Sequence, residues 1–63
     1  MTTDRVANFE FMLGEARKGF ILSNNGLPDQ VDFVLCDLAA AKTPATRAAL
    51  VAKARAAFEA LYG

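Results

Sequence analysis

The sequence predicts an all-α fold, a small antiparallel three-helix bundle. Apolar residues recur with helical period in three stretches, and the two prolines, Pro28 and Pro44, each open one of these stretches after turn or capping residues. With 63 residues, 54% of them apolar, the chain has room for one domain covering residues 1–63. The predicted helices span about residues 3–23, 28–42 and 44–62, and short connections between them favour antiparallel neighbours.

The first predicted helix begins after Thr2 or Thr3, either of which can cap it, with Asp4 in its first turn. Gly14 and Gly19 weaken this helix, but Phe20 continues the apolar stripe, so we expect the helix to reach about residue 23. Asn24-Asn25-Gly26 then stops it, because these residues tolerate the left-handed conformation. The predicted buried stripe contains Val6, Phe9, Met12, Leu13, Ala16 and Phe20.

Pro28 is expected at the first position of the second helix, with Leu27 packing back on Val31. This helix carries two apolar stripes, as expected for a middle element that contacts both other helices. The main stripe contains Val31, Val34, Leu35, Leu38 and Ala41, and the second contains Phe33, Cys36 and Ala40.

The third predicted helix starts with Thr43 as its cap and Pro44 as its first residue. Its predicted core stripe contains Leu50, Val51, Ala54, Ala57, Phe58 and Leu61. Opposite that stripe lies a ridge of alanines, Ala49, Ala52, Ala56 and Ala60. Such a ridge permits close helix docking, but alanine is also the best helix former, and we favour this second explanation.

An alternative with strands rests on two segments, 20–22 and 32–36, which contain residues with strand propensity. Neither segment alternates strictly between apolar and polar residues, and the second follows the helix start signal at Pro28. We therefore favour the all-helical fold.

Several classes of function are disfavoured by what the sequence lacks. It has no histidine and one cysteine, so we expect no metal site, no cofactor and no internal disulfide. The first residues do not resemble a signal peptide, and no apolar run is long enough to span a bilayer, which favours a cytoplasmic protein without a membrane partner. Seven basic residues balance seven acidic ones, which disfavours nucleic-acid binding.

Polar and reactive side chains give no catalytic arrangement. Asp29, Asp32 and Asp37 are expected to form a solvated face, because two or three carboxylates on one helix cannot surround a hard cation. Cys36 lies mid-helix without a neighbouring base, so we expect it to be unreactive and buried beside Phe33 and Ala40. We therefore predict no enzymatic activity.

The third predicted helix has a basic bias from Lys42, Arg47, Lys53 and Arg55. It has few polar side chains that could read bases, and much of its surface is alanine. We therefore expect these charges to be solvated rather than bound to a nucleic acid.

Phe11 is the candidate partner-binding residue. It falls nearly opposite the buried stripe of the first helix and shares its side with Ala7, Gly14 and Lys18. Aromatic side chains are enriched at the centres of protein interfaces. In the alternative, Phe11 is covered within the fold by Ile21, Leu22 or Tyr62.

We therefore expect a small non-catalytic protein-interaction module that binds a larger protein, with a homo-oligomer as a further possibility. Its alanine content and size suggest a bacterial or phage accessory or inhibitor protein. The alternatives are a small accessory subunit of a multi-subunit enzyme and a dimeric nucleic-acid-binding protein.

Overall fold

The computed structural model describes residues 4–21 and 26–62, which form three helices. They are α1 (Arg5–Arg17), α2 (Asp29–Ala40) and α3 (Pro44–Tyr62). The prediction of an all-α three-helix bundle is confirmed. Of the two segments with strand propensity, 32–36 lies within α2, and the described part of 20–22 lies in the connection after α1.

The cap of α1 is Asp4, whose side chain accepts hydrogen bonds from the N–H groups of Val6 and Ala7 at 3.0 and 3.1 Å. The expected caps, Thr2 and Thr3, lie outside the described residues. A carboxylate at this position satisfies two unpaired donors and also places negative charge at the positive end of the helix dipole.

α1 ends at Arg17, six residues before the predicted end, because the chain turns at Gly19. Gly19 has a φ of 96°, its N–H bonds to the carbonyl of Ala16 at 3.0 Å, and the N–H of Phe20 bonds to the carbonyl of Glu15 at 2.9 Å. This pair of bonds is the Schellman termination, which favours glycine at the left-handed position. Phe20 therefore leaves the predicted core stripe and is 57% exposed.

The other two helix starts follow their proline signals closely. Pro28, the expected first residue of α2, is instead its N-cap, so the helix begins one position later at Asp29, and Leu27 packs against the core. Pro44 is the first residue of α3, as predicted. The Oγ1 of Thr43 accepts a hydrogen bond from the N–H of Thr46 at 3.3 Å, which confirms Thr43 as the cap.

The core is formed by one side of each helix. Within it, Phe9 of α1 and Phe58 of α3 stack with ring centroids 4.5 Å apart. The buried residues are Phe9, Met12, Leu13, Ala16, Val31, Val34, Leu35, Leu38, Ala54 and Phe58.

Two residues of the predicted stripes, Val6 and Leu61, are instead 57% and 44% exposed. They lie in the first turn of α1 and the last turn of α3, which meet at one end of the bundle, where the guanidinium of Arg5 lies 4.6 Å from the ring centroid of Tyr62. The second stripe of α2 is also not covered by another helix, since Phe33 is 65% exposed. The expectation that this stripe contacts a neighbouring helix is wrong.

α3 runs antiparallel to both other helices, whereas α1 and α2 run in the same direction. The guanidinium of Arg47 bonds to the carbonyl oxygens of Arg17 and Ala41, so the C-terminal ends of α1 and α2 lie together. At the other end, a Cβ placed on Gly26 would lie 3.8 Å from the side chain of Asn8. Residues 18–21 after α1 and residues 26–28 before α2 therefore lie toward opposite ends of the bundle, and only the α2–α3 connection reverses direction as expected.

An ion pair between Glu10 and Arg55 joins α1 to α3 through two hydrogen bonds. The bond to Arg55 lowers the pKa of the Glu10 carboxyl, because the guanidinium favours the charged form. Both side chains are about half exposed, so the pair contributes little to the free energy of unfolding.

Substitution by alanine should have opposite effects on stability at Gly14, inside α1, and at Gly19, just after its end. Gly14→Ala should raise the free energy of unfolding by about 0.5–1 kcal/mol, because Gly14 lies inside a helix and no atom lies within 4 Å of the added Cβ. Gly19→Ala should lower it by about 1–2 kcal/mol, because alanine disfavours a positive φ. Thermal unfolding of both variants tests this, and equal effects would contradict the proposed helix end.

Arg47→Ala should lower the free energy of unfolding by about 1.5–3 kcal/mol, because it removes charge-assisted hydrogen bonds at two helix ends. Lys53→Ala is the matched control: Lys53 is exposed on the same helix, and its loss should change stability by less than about 0.5 kcal/mol. Urea unfolding measures both variants. Equal stabilities would show that Arg47 acts only as a surface charge.

Candidate protein-interaction surface

Phe11 projects away from the core on the outer side of α1. Its side chain is 58% exposed, while Phe9 and Leu13 on the opposite side are each 2% exposed. Tyr62, one of the residues considered as a possible cover, instead lies against Phe58 with ring centroids 5.1 Å apart. Leu22, another possible cover, lies outside the described residues. The ring of Phe11 is therefore accessible to a partner.

Gly14 lies one turn after Phe11 and leaves the helix backbone open beside the ring. It is half-buried, and a Cβ at this position would meet no atom within 4 Å. Glycine inside a helix costs about 0.5–1 kcal/mol relative to alanine. Neither a positive φ nor close packing within the described chain requires glycine here.

The other two predicted residues, Ala7 and Lys18, lie on opposite sides of Phe11 and Gly14 along α1. Ala7 lies one turn before Phe11 and is exposed, and Lys18 follows the last turn of α1. The Nζ of Lys18 pairs with the Oε2 of Glu15 at 3.3 Å, and the Lys18 side chain remains 67% exposed. We call Ala7, Phe11, Gly14 and Lys18 the Phe11 surface.

A second accessible apolar surface lies on α2, where the sequence predicted contact with a neighbouring helix. Phe33 is 65% exposed, the largest exposure among the large apolar side chains of the described residues. Cys36 is half-buried and Ala40 is exposed, one and two turns further along. Asp29 and Asp37, both exposed, border Phe33 one turn before and after it. We call these five residues the α2 outer face.

Cys36 is less buried than expected, because its two presumed neighbours, Phe33 and Ala40, are themselves exposed. Its thiol pKa is nevertheless raised, first by partial burial and then by the negative charges of Asp32 and Asp37. All three causes disfavour the thiolate, which is the reactive form. Cys36 is thus a poor nucleophile in a partly accessible position.

Other candidate features of the sequence remain at the surface. The ridge of Ala49, Ala52, Ala56 and Ala60 is exposed along α3. Within residues 4–21 and 26–62, no group of three acidic or cysteine side chains is arranged to bind a metal ion. In the same part of the chain, no helix has the length and hydropathy needed to cross a bilayer.

Comparison of the chain with protein-family models, with curated proteins and with solved structures found no match. The functional interpretation therefore depends on the exposed surfaces described above.

The reactivity of Cys36 should increase when a neighbouring carboxylate is neutralised. Asp37→Asn should lower the thiol pKa and speed alkylation of the native protein at pH 8, by less than about tenfold because the charge is solvated. Asp4→Asn, which changes a carboxylate on another helix, is the control. The pH dependence of iodoacetamide labelling gives both pKa values. A pKa in native wild-type protein below that of the unfolded chain would contradict this assignment.

Proposed function

We propose that this protein is a non-catalytic interaction module that binds a larger protein through the Phe11 surface. In this proposal it acts in the cytoplasm as a bacterial or phage accessory or inhibitor protein. The observation that supports it is the exposure of Phe11 beside Gly14, a glycine that the packing of the described chain does not require.

The chemistry of the Phe11 surface suits a protein partner. Binding free energy in protein interfaces is concentrated in a few side chains, and aromatic rings that become fully desolvated are prominent among them. The ring of Phe11 has most of its surface still to bury, and the bare backbone at Gly14 lets a partner approach the helix closely. Because α1 is already capped and packed, binding would require little further ordering of the backbone.

Identification of the partner comes first, by affinity capture from the source cells with the wild-type chain and mass spectrometry. The captured protein is then purified, and its affinity for the chain is measured by titration calorimetry. If the partner is an enzyme, its activity with and without the chain separates the two modes of action: an inhibitor lowers the activity, whereas an accessory subunit is needed for it.

Phe11→Asp should weaken the measured affinity by about thirtyfold or more, as expected when an interface anchor is lost. Its melting temperature should stay close to that of the wild type, because Phe11 lies outside the core. Val6→Asp is the matched control, since Val6 is 57% exposed on another side of the same helix. It should bind as the wild type does.

Gly14→Leu provides a second, independent variant. Leucine favours a helix and its Cβ would meet no atom within 4 Å, so the protein should be at least as stable, while the added side chain blocks the backbone beside Phe11. Weaker binding by a more stable protein would support the proposal. Wild-type affinity in both Phe11→Asp and Gly14→Leu would overturn it, as would unfolding caused by Phe11→Asp.

A further inference from the structure

The α2 outer face has the form of an apolar ridge that neither of the other two described helices covers. Phe33, Cys36 and Ala40 follow each other at helical spacing over about 10 Å, and they project away from the buried residues Leu35 and Leu38. The bulky ring of Phe33 stands beside two small side chains. Such alternation of large and small side chains can interlock with the ridges of another helix.

The charges on this face are of one sign. α2 contains three aspartates and no basic residue. Within the described parts of the chain, neither Asp29 nor Asp37 has an ion-pair partner, although both lie one turn from Phe33. A partner with positive charges would meet these carboxylates without displacing an existing bond.

The position of Asp37 is not explained by helix stability. Asp29 lies in the first turn of α2, where the helix dipole favours a negative charge. Asp37 lies in the last four residues, where the dipole favours a positive charge, and this turn has no basic residue. An external positive charge would offset this unfavourable position of the Asp37 carboxylate.

We propose that the α2 outer face docks an amphipathic helix of a partner protein, whose apolar stripe is bordered by lysines or arginines. The apolar stripe covers Phe33, Cys36 and Ala40, and the cations pair with Asp29 and Asp37. Nucleic acids and anionic membrane surfaces do not fit, because their negative charges would meet carboxylates. This face lies on a different helix from the Phe11 surface, so either proposal can fail without the other.

The test uses the full chain and a synthetic amphipathic helical peptide of leucine and lysine, compared with a matched peptide of leucine and glutamate. Fluorescence anisotropy measures affinity, and amide chemical shifts in NMR spectra locate the contact. The lysine peptide should bind, should perturb α2 most strongly near Phe33, and should bind more weakly as ionic strength rises. The glutamate peptide should not bind.

Three variants separate this contact from non-specific attraction. Phe33→Ser should weaken binding of the lysine peptide about tenfold or more. Asp37→Asn should also weaken it while leaving the protein equally or more stable, because the substitution relieves the unfavourable charge at the helix end. Phe20→Ser, which removes a phenylalanine that is 57% exposed in the connection after α1, should change nothing.

The proposal is overturned if the lysine peptide fails to bind, or if Phe33→Ser and Asp37→Asn bind it as the wild type does. It is also overturned if the shifted amides lie mainly on another helix. Sedimentation of the chain alone tests whether a second copy of the chain covers this face. A dimer that Phe33→Ser abolishes would show that it does, and that a basic partner does not.

Discussion

One guanidinium group joins the ends of all three helices. Arg47 belongs to the first turns of α3, and its nitrogens bond to carbonyls of Leu38 and Ala41 at the end of α2 and of Arg17 at the end of α1. Helix ends leave carbonyl groups without intrahelical partners and carry partial negative charge. A single planar cation with several donors can satisfy groups from two helices, which a lysine cannot do with the same geometry. This shared contact holds the C-terminal ends of the parallel helices α1 and α2 against the start of α3.

Local signals in the sequence predicted where two of the three helices begin, and they failed at the end of α1. The start of α3 depends only on neighbouring residues, because Thr43 caps the helix and Pro44 has a backbone conformation suited to its first position. It could therefore be predicted from the sequence. At Gly19 two local signals disagree, because Phe20 keeps the helical period while the glycine permits a left-handed turn. The turn forms, since it completes two backbone hydrogen bonds. The relative direction of α1 and α2 could not be predicted, because the connection between them, residues 18–28, is long enough to join either parallel or antiparallel helices.

The sequence predicts which side of a helix is buried only where the helix has a single apolar stripe. α2 has two stripes of similar apolar character, and the sequence does not indicate which of them faces the other helices. The structure buries the stripe of Leu35 and Leu38 and leaves Phe33 outside. α1 has a single strong stripe and Phe11 lies opposite it, but the sequence did not decide whether other residues of the chain cover its ring. The structure leaves Phe11 58% exposed. Three of the five phenylalanines thus remain more than half exposed, two of them on helices.

The different lengths of the two connections also affect the order in which the helices fold. α2 and α3 are joined by a short turn and make the most extensive helix contact, so they form a local hairpin with little loss of loop entropy. α1 is joined to this hairpin by a longer connection and must dock against it separately. The free energy of opening measured by amide hydrogen exchange should therefore be lower for α1 than for α2. A partner that binds α1 only in its docked position would suppress these openings and protect the chain by mass action.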